Sequence, residues 1–111
     1  MIIKKKVDYL INQFMKKHER CIIEYYISNA VTNSLISLST ITPSRIIKQT
    51  QSKFVLEEIT NKLIIPYEEI LDCYPGFKLP DDNIKSESIY IVMKSGVVIE
   101  FCYMDVTCNK E

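Results

Sequence analysis

The stretch from Ser88 to Asp105, SIYIVMKSGVVIEFCYMD, restricts the fold of this chain more than any other feature. Two apolar runs flank one short polar turn, a pattern typical of a β-hairpin. A two-residue turn at Ser95-Gly96 would mix apolar and polar side chains on each face. A three-residue turn at Lys94-Ser95-Gly96 gives one wholly apolar face and places glycine where the turn needs a positive φ. This register pairs Met93 with Val97, Ile91 with Ile99, and Ile89 with Phe101.

In residues 1–20 the apolar side chains recur with a different period. Apolar side chains recur every three or four residues and form a single stripe. The spacing predicts an amphipathic helix from about residue 3 to residue 19.

Residues 21–111 are mainly β in character, because runs rich in β-branched and aromatic residues follow one another between turn residues. Pro66 is predicted at the first position of a single helical turn. Residues 74–86, rich in proline, glycine and aspartate, are predicted to form a loop. We expect one α+β domain over residues 1–111. In it the N-terminal amphipathic helix packs on an antiparallel β-sheet of four to six strands, either a small meander or a partly open barrel.

The composition indicates a globular protein, since 47% of the residues are hydrophobic and 25% are charged. No apolar run approaches the roughly 20 residues that cross a bilayer. The first ten residues lack the order of regions found in a signal peptide. We therefore expect a cytoplasmic protein without a membrane partner, and free thiols as the default state of its four cysteines.

Isoleucine and lysine are abundant, lysine far outnumbers arginine, and Ala30 is the only alanine. Isoleucine and lysine codons are rich in A and T, whereas alanine and arginine codons are mostly rich in G and C. This bias favours a low-GC bacterium, or a phage or mobile element of such a bacterium, as the source.

Residues that could carry catalysis or bind a metal are few. His18 is the only histidine, and it falls within the apolar stripe of the helix, so we expect a core side chain. The cysteines form no closely spaced pair of the kind that structural zinc sites use. Adjacent carboxylates such as Glu57 and Glu58 would point to opposite faces of a strand. Two glycines are too few for a phosphate-binding loop. We expect no enzyme activity, no cofactor and no metal.

Charge is segregated along the sequence although the formal net charge is zero. Residues 1–20 carry six basic and two acidic side chains, and residues 57–87 carry eight acidic and three basic ones. Such asymmetry bears on partners rather than on fold. The outer face of the hairpin is more apolar than ordinary solvent-exposed surface, which favours a contact surface.

These features favour a small non-enzymatic protein-binding module or inhibitor. We expect another protein as its partner, with self-association through the sheet as a further option. The protein-binding candidates are Glu68, Glu69, Asp72, Tyr90, Val92 and Val98. The alternative is a nucleic-acid-binding accessory protein that uses the basic face of the helix. Its candidate residues are Lys5, Tyr9, Lys16 and Arg20.

Overall fold

The computed structural model describes residues 2–32, 34–41, 45–58, 62–78 and 86–104. Over these residues the chain forms one α-helix, eight β-strands and one short 3-10 helix. In chain order they are α1 (Ile2–Lys17), β1 (Ile22–Asn29), β2 (Ser34–Ile41), β3 (Ile46–Gln49), β4 (Lys53–Glu57), β5 (Lys62–Pro66), the 3-10 helix (Tyr67–Glu69), β6 (Ile70–Lys78), β7 (Ser86–Met93) and β8 (Val97–Met104).

The strands form two antiparallel sheets. The main sheet has the strand order β2-β1-β8-β7-β6, and the minor sheet has the order β3-β4-β5. α1 packs against β6 and β7, and Phe54, Leu56 and Ile65 of the minor sheet belong to the same core. The predicted α+β architecture is confirmed, with a five-stranded main sheet inside the expected range. Both sheets end in edge strands rather than closing into a barrel. The order is not that of a simple meander, since β1 lies next to β8.

α1 begins at Ile2 and ends at Lys17, close to the predicted bounds. Its apolar stripe is buried, with Val7 and Ile11 fully inaccessible, and His18 is buried directly after the helix. The guanidinium group of Arg45 donates to the carbonyl oxygens of His18 at 2.9 Å and of Cys21 at 3.0 Å. Arg45 thereby fixes the turn between α1 and β1. No helix within the described residues is long and apolar enough to span a bilayer.

The hairpin register predicted from the sequence is confirmed. Ile91 pairs with Ile99 and Ile89 pairs with Phe101, and all four side chains are buried. Gly96 has a φ of 96°, and its N–H donates to the carbonyl of Met93 at 3.0 Å. The apolar face of the hairpin therefore forms one side of the hydrophobic core.

The prediction of a loop over residues 74–86 is wrong for residues 74–78, which belong to β6, and for residue 86, which begins β7. β6 is an edge strand of the main sheet, and an edge tolerates a residue without an N–H donor. Pro75 therefore remains in the strand and pairs with Ile89. Residues 79–85 lie outside the described residues.

A single helical turn is present where it was predicted, as the 3-10 helix Tyr67–Glu69. Pro66 does not occupy its first position, however. It is the N-cap residue, with extended backbone angles, and it is also the last residue of the edge strand β5. The missing N–H of proline is harmless at that position.

The cysteines differ from one another. Cys73 and Cys102 carry buried thiols, whereas Cys21 is disulfide-bonded, so the expectation of a free thiol is wrong for Cys21. Cys108 lies outside the described residues. Disulfides are rare in cytosolic proteins, and the cytoplasmic location stays a prediction.

Cys73 is expected to resist alkylation in the folded protein. Burial raises the pKa of its thiol to about 12, while nearby Lys6 lowers it and Asp72 raises it. Iodoacetamide at about pH 8 should modify Cys73 in urea but spare it in buffer, which mass spectrometry of peptides would measure. The native state holds this proton more tightly than the unfolded state. The associated stability is therefore present below the unfolded pKa near 9.0 and is lost as the pH rises towards 12. Rapid native modification would contradict the burial of Cys73.

Candidate protein-binding face

The main sheet has one face that α1 does not cover, which we call the outer face. Its residues follow from the strand registers, because partners in antiparallel pairs lie on the same side of a sheet. Three rows of five residues cross all five strands. They are Asp72–Val92–Val98–Ser28–Leu35, Tyr74–Tyr90–Glu100–Tyr26–Leu38 and Gly76–Ser88–Cys102–Glu24–Thr40.

The outer face is apolar over much of the first two rows. Leu35, Leu38 and Tyr74 are 60%, 52% and 43% exposed, which is high for such large apolar side chains. Val92 and Val98 are half-buried neighbours near its centre. The third row is less open, because Ser88 and Cys102 are buried. The first two rows therefore form the accessible part of the face.

Acidic groups are the only charged side chains in the three rows. The carboxylate of Glu24 accepts from the Tyr26 hydroxyl at 3.1 Å, and that of Glu100 accepts from the Cys102 thiol at 3.3 Å. Asp72 is the third acidic residue, and none of the fifteen positions holds a basic residue. The face thus combines exposed apolar side chains with three carboxylates.

Asp72 is already engaged by a cation of the same chain. Its Oδ1 atom accepts from Lys6 Nζ at 2.9 Å and from the Cys73 N–H at 2.7 Å. These hydrogen bonds, the one from Lys6 first, hold the pKa of Asp72 below its ordinary value. Both side chains are about half exposed, so the ion pair is hydrated and contributes little to stability.

A pair of tyrosines shapes one end of the face. The rings of Tyr74 and Tyr90 stack with their centroids 5.5 Å apart. Gly76 makes room for this arrangement, since a Cβ atom there would lie 2.7 Å from Cε1 of Tyr90. An aromatic ring that covers a glycine on an edge strand compensates for the missing side chain. Burial, and then the carboxylate of Glu100, raise the pKa of Tyr90.

The structure brings four of the predicted protein-binding residues together. Asp72, Val92 and Val98 share one row, and Tyr90 lies in the next. Glu68 and Glu69 are exposed in the 3-10 helix. They lie beside the hairpin turn, because the Lys94 N–H donates to the carbonyl of Glu69 at 2.9 Å. They therefore flank the sheet near this turn and do not lie in its rows.

The hairpin register already places Glu100 on this face, but sequence reasoning missed the outer-face residues of β1 and β2, chiefly Glu24, Tyr26 and the exposed leucines. Alternation within β1 indicates which residues share a side of that strand. It does not indicate that β1 pairs with β8 far along the chain, and this pairing places Tyr26 beside Glu100.

The nucleic-acid candidates lie elsewhere. Lys5, Tyr9, Lys16 and Arg20 are all exposed, and Tyr9 is 61% accessible. They belong to α1 and the turn after it, and α1 packs on the opposite face of the main sheet. The two surfaces adjoin at the β6 edge, where Lys6 pairs with Asp72 and Lys16 lines a cavity with Gly76 and Ser88.

His18 occupies a packed aromatic environment. Its ring stacks on Tyr103 at 3.8 Å between centroids and meets Phe14 edge-on at 4.9 Å. Within the described ranges, no three His, Cys, Asp or Glu side chains are grouped so that they could hold a metal ion. Comparison with models of known protein families, with curated proteins and with solved structures finds no match to this chain.

Proposed function

We propose that this protein is a non-enzymatic binding module whose outer face docks a basic protein surface. The proposal rests on the composition of the three rows. Three carboxylates accompany exposed leucines, the exposed Tyr74 and two half-buried tyrosines, and no basic residue is present.

The first two rows suit a partner that presents arginine or lysine side chains. Stacked tyrosine rings offer π-faces to a cation, and Glu100 lies next to Tyr90 in the same row. The exposed Leu35 and Leu38 supply apolar contact at the other end of the face. A basic partner would also compete with Lys6 for the carboxylate of Asp72.

Charge reversal on the two surfaces separates a protein partner from a nucleic acid. The outer-face variant carries Glu24→Lys with Glu100→Lys. The helix variant carries Lys5→Glu, Lys16→Glu and Arg20→Glu. We expect the outer-face variant to associate with the partner roughly tenfold more slowly or worse, because charges steer encounter. The helix variant should bind almost as the wild type does. Affinity capture from the source cell identifies the partner, and surface plasmon resonance at several salt concentrations measures the rates.

A third variant tests the flank of the face. Glu68→Lys with Glu69→Lys should change the salt dependence of association more than the dissociation rate, as peripheral charges do. Heparin chromatography provides an independent check. The protein-binding proposal expects the wild type to flow through. Retention to high salt that is lost in the helix variant would instead support the nucleic-acid reading. Equal binding by all three variants would contradict the proposal.

A further inference from the structure

The two sheets together have four edge strands, and three of them carry protective residues. Edges expose unpaired backbone groups, and proteins block them with charges and prolines. In the minor sheet, β3 carries Lys48 and β5 carries Lys62 and Pro66. In the main sheet, β6 carries Asp72 and Pro75.

β2 is the exception among these edges. Its sequence, SLISLSTI, contains no charged residue and no proline over eight residues. Leu35, Ile36 and Leu38 are all more than half exposed. The register shift opposite Ile27 and Ser28 disturbs only the start of the strand, so Ser37–Ile41 remain regular. This is an uncharged, partly apolar edge of the kind that accepts another strand.

We propose that the β2 edge pairs antiparallel with the β2 edge of a second copy of this chain. A two-fold axis between the two Leu38 residues sets Leu38 opposite its equivalent and Ser37 opposite Ser39 of the other copy. Leu38 lies on the outer face, whereas Ser37 and Ser39 pair with Ile27 and Tyr25 on the inner face. The three central positions thus match apolar with apolar and hydroxyl with hydroxyl. Ile36 faces Thr40 on either side of them, and no like charges are opposed.

A second copy fits this edge better than a charged partner strand, because every side chain of β2 is neutral. The dimer has a continuous ten-stranded sheet, a length that open sheets reach. Because the axis is perpendicular to the sheet, both outer faces lie on the same side. Edge pairing brings Leu38 against its equivalent but leaves the rest of the two outer-face rows open, so a partner and a second copy can bind at the same time.

Two variants at the same positions test the register. Ser37→Lys with Ser39→Lys places a lysine of one copy opposite a lysine of the other at two positions. Because these like charges repel, the dimer dissociation constant should rise about tenfold. Ser37→Glu with Ser39→Lys replaces each repulsive pair by an ion pair, and dimer formation should return to at least the wild-type level. Sedimentation equilibrium over micromolar to millimolar chain concentrations measures each constant, with circular dichroism as the check on folding.

Ile46→Lys is the matched control, because it adds a charge at an exposed apolar position on the β3 edge and should leave the dimer intact. Hydrogen exchange on the wild type gives a measurement that needs no variant. Protection of the β2 amides should increase with chain concentration while that of β3 does not. A wild-type monomer at all concentrations would overturn the proposal. So would equal weakening by the Lys/Lys and Glu/Lys variants, or concentration-independent exchange in β2.

Discussion

Replacing Tyr67 with alanine is expected to lower the free energy of unfolding by about 3–5 kcal/mol. Tyr67 has the largest of the fully buried side chains among the described residues. Its ring belongs to the core shared by α1 and both sheets, and its N–H donates to the carbonyl of Ser52 at 3.0 Å. Removing the ring leaves a cavity that a close-packed core cannot fill by small adjustments. Urea unfolding followed by circular dichroism measures the loss.

Tyr67→Phe separates the cavity from the hydrogen bond. The Tyr67 hydroxyl donates to Oδ1 of Asp8 at 2.5 Å, and Lys4 Nζ lies 2.6 Å from Oδ2 of the same carboxylate. Burial and this carboxylate raise the pKa of Tyr67 above its ordinary value. Phenylalanine should cost only about 1–2 kcal/mol, since Asp8 is partly exposed and water can replace the hydroxyl. Equal losses for alanine and phenylalanine would show that ring packing at residue 67 contributes little.

Gly96→Val is expected to destabilise the protein by about 1–3 kcal/mol through backbone strain. A β-branched residue is disfavoured at the φ of 96° found here. The backbone has little freedom to relax, because the Gly96 N–H donates to Met93 and the Gly96 carbonyl accepts from the Ala30 N–H at 2.9 Å. Thermal unfolding of the variant measures the effect.

Asparagine at residue 96 is the matched control. Asn adopts positive φ more readily than other residues with a side chain, so Gly96→Asn should lose clearly less stability than Gly96→Val. Space alone does not explain such a difference, since among the described residues a Cβ atom at residue 96 would meet only Val31 Cγ2, at 3.4 Å. An unchanged melting temperature for the valine variant would show that the turn adapts to a negative φ.

The parts of the fold that depend on local patterns were predictable from the sequence. The hairpin register follows from one apolar face and one glycine, and both criteria concern neighbouring residues. The loop prediction was wrong for residues 74–78 because local proline and glycine signals carry no information about the position of a strand in its sheet. The division into two sheets depends on long-range pairs such as Ile22 with Met104, which alternation does not specify.

The candidate site was predictable in part for the same reason. Tyr90, Val92 and Val98 were identified because they alternate with core residues within one hairpin. Glu24 and Leu38 join them only through pairing with distant strands. The charges that are separated along the sequence are less separated in the fold, since Lys6 of the basic segment forms an ion pair with Asp72 of the acidic segment.

The central position of β8 has a consequence for the order in which the chain folds. β8 lies between β1 and β7, so it joins the β2–β1 hairpin to the β7–β6 hairpin. A two-stranded hairpin is marginally stable in water. β1 ends at Asn29 and β8 begins at Val97. During synthesis at about 5–20 residues per second, β1 is made several seconds before the strand that completes its pairing. In that interval its apolar residues and the uncharged edge of β2 are open to contact with other nascent chains. A variant that weakens the pairing of β8 leaves these residues without their partner strand for longer, which favours aggregation.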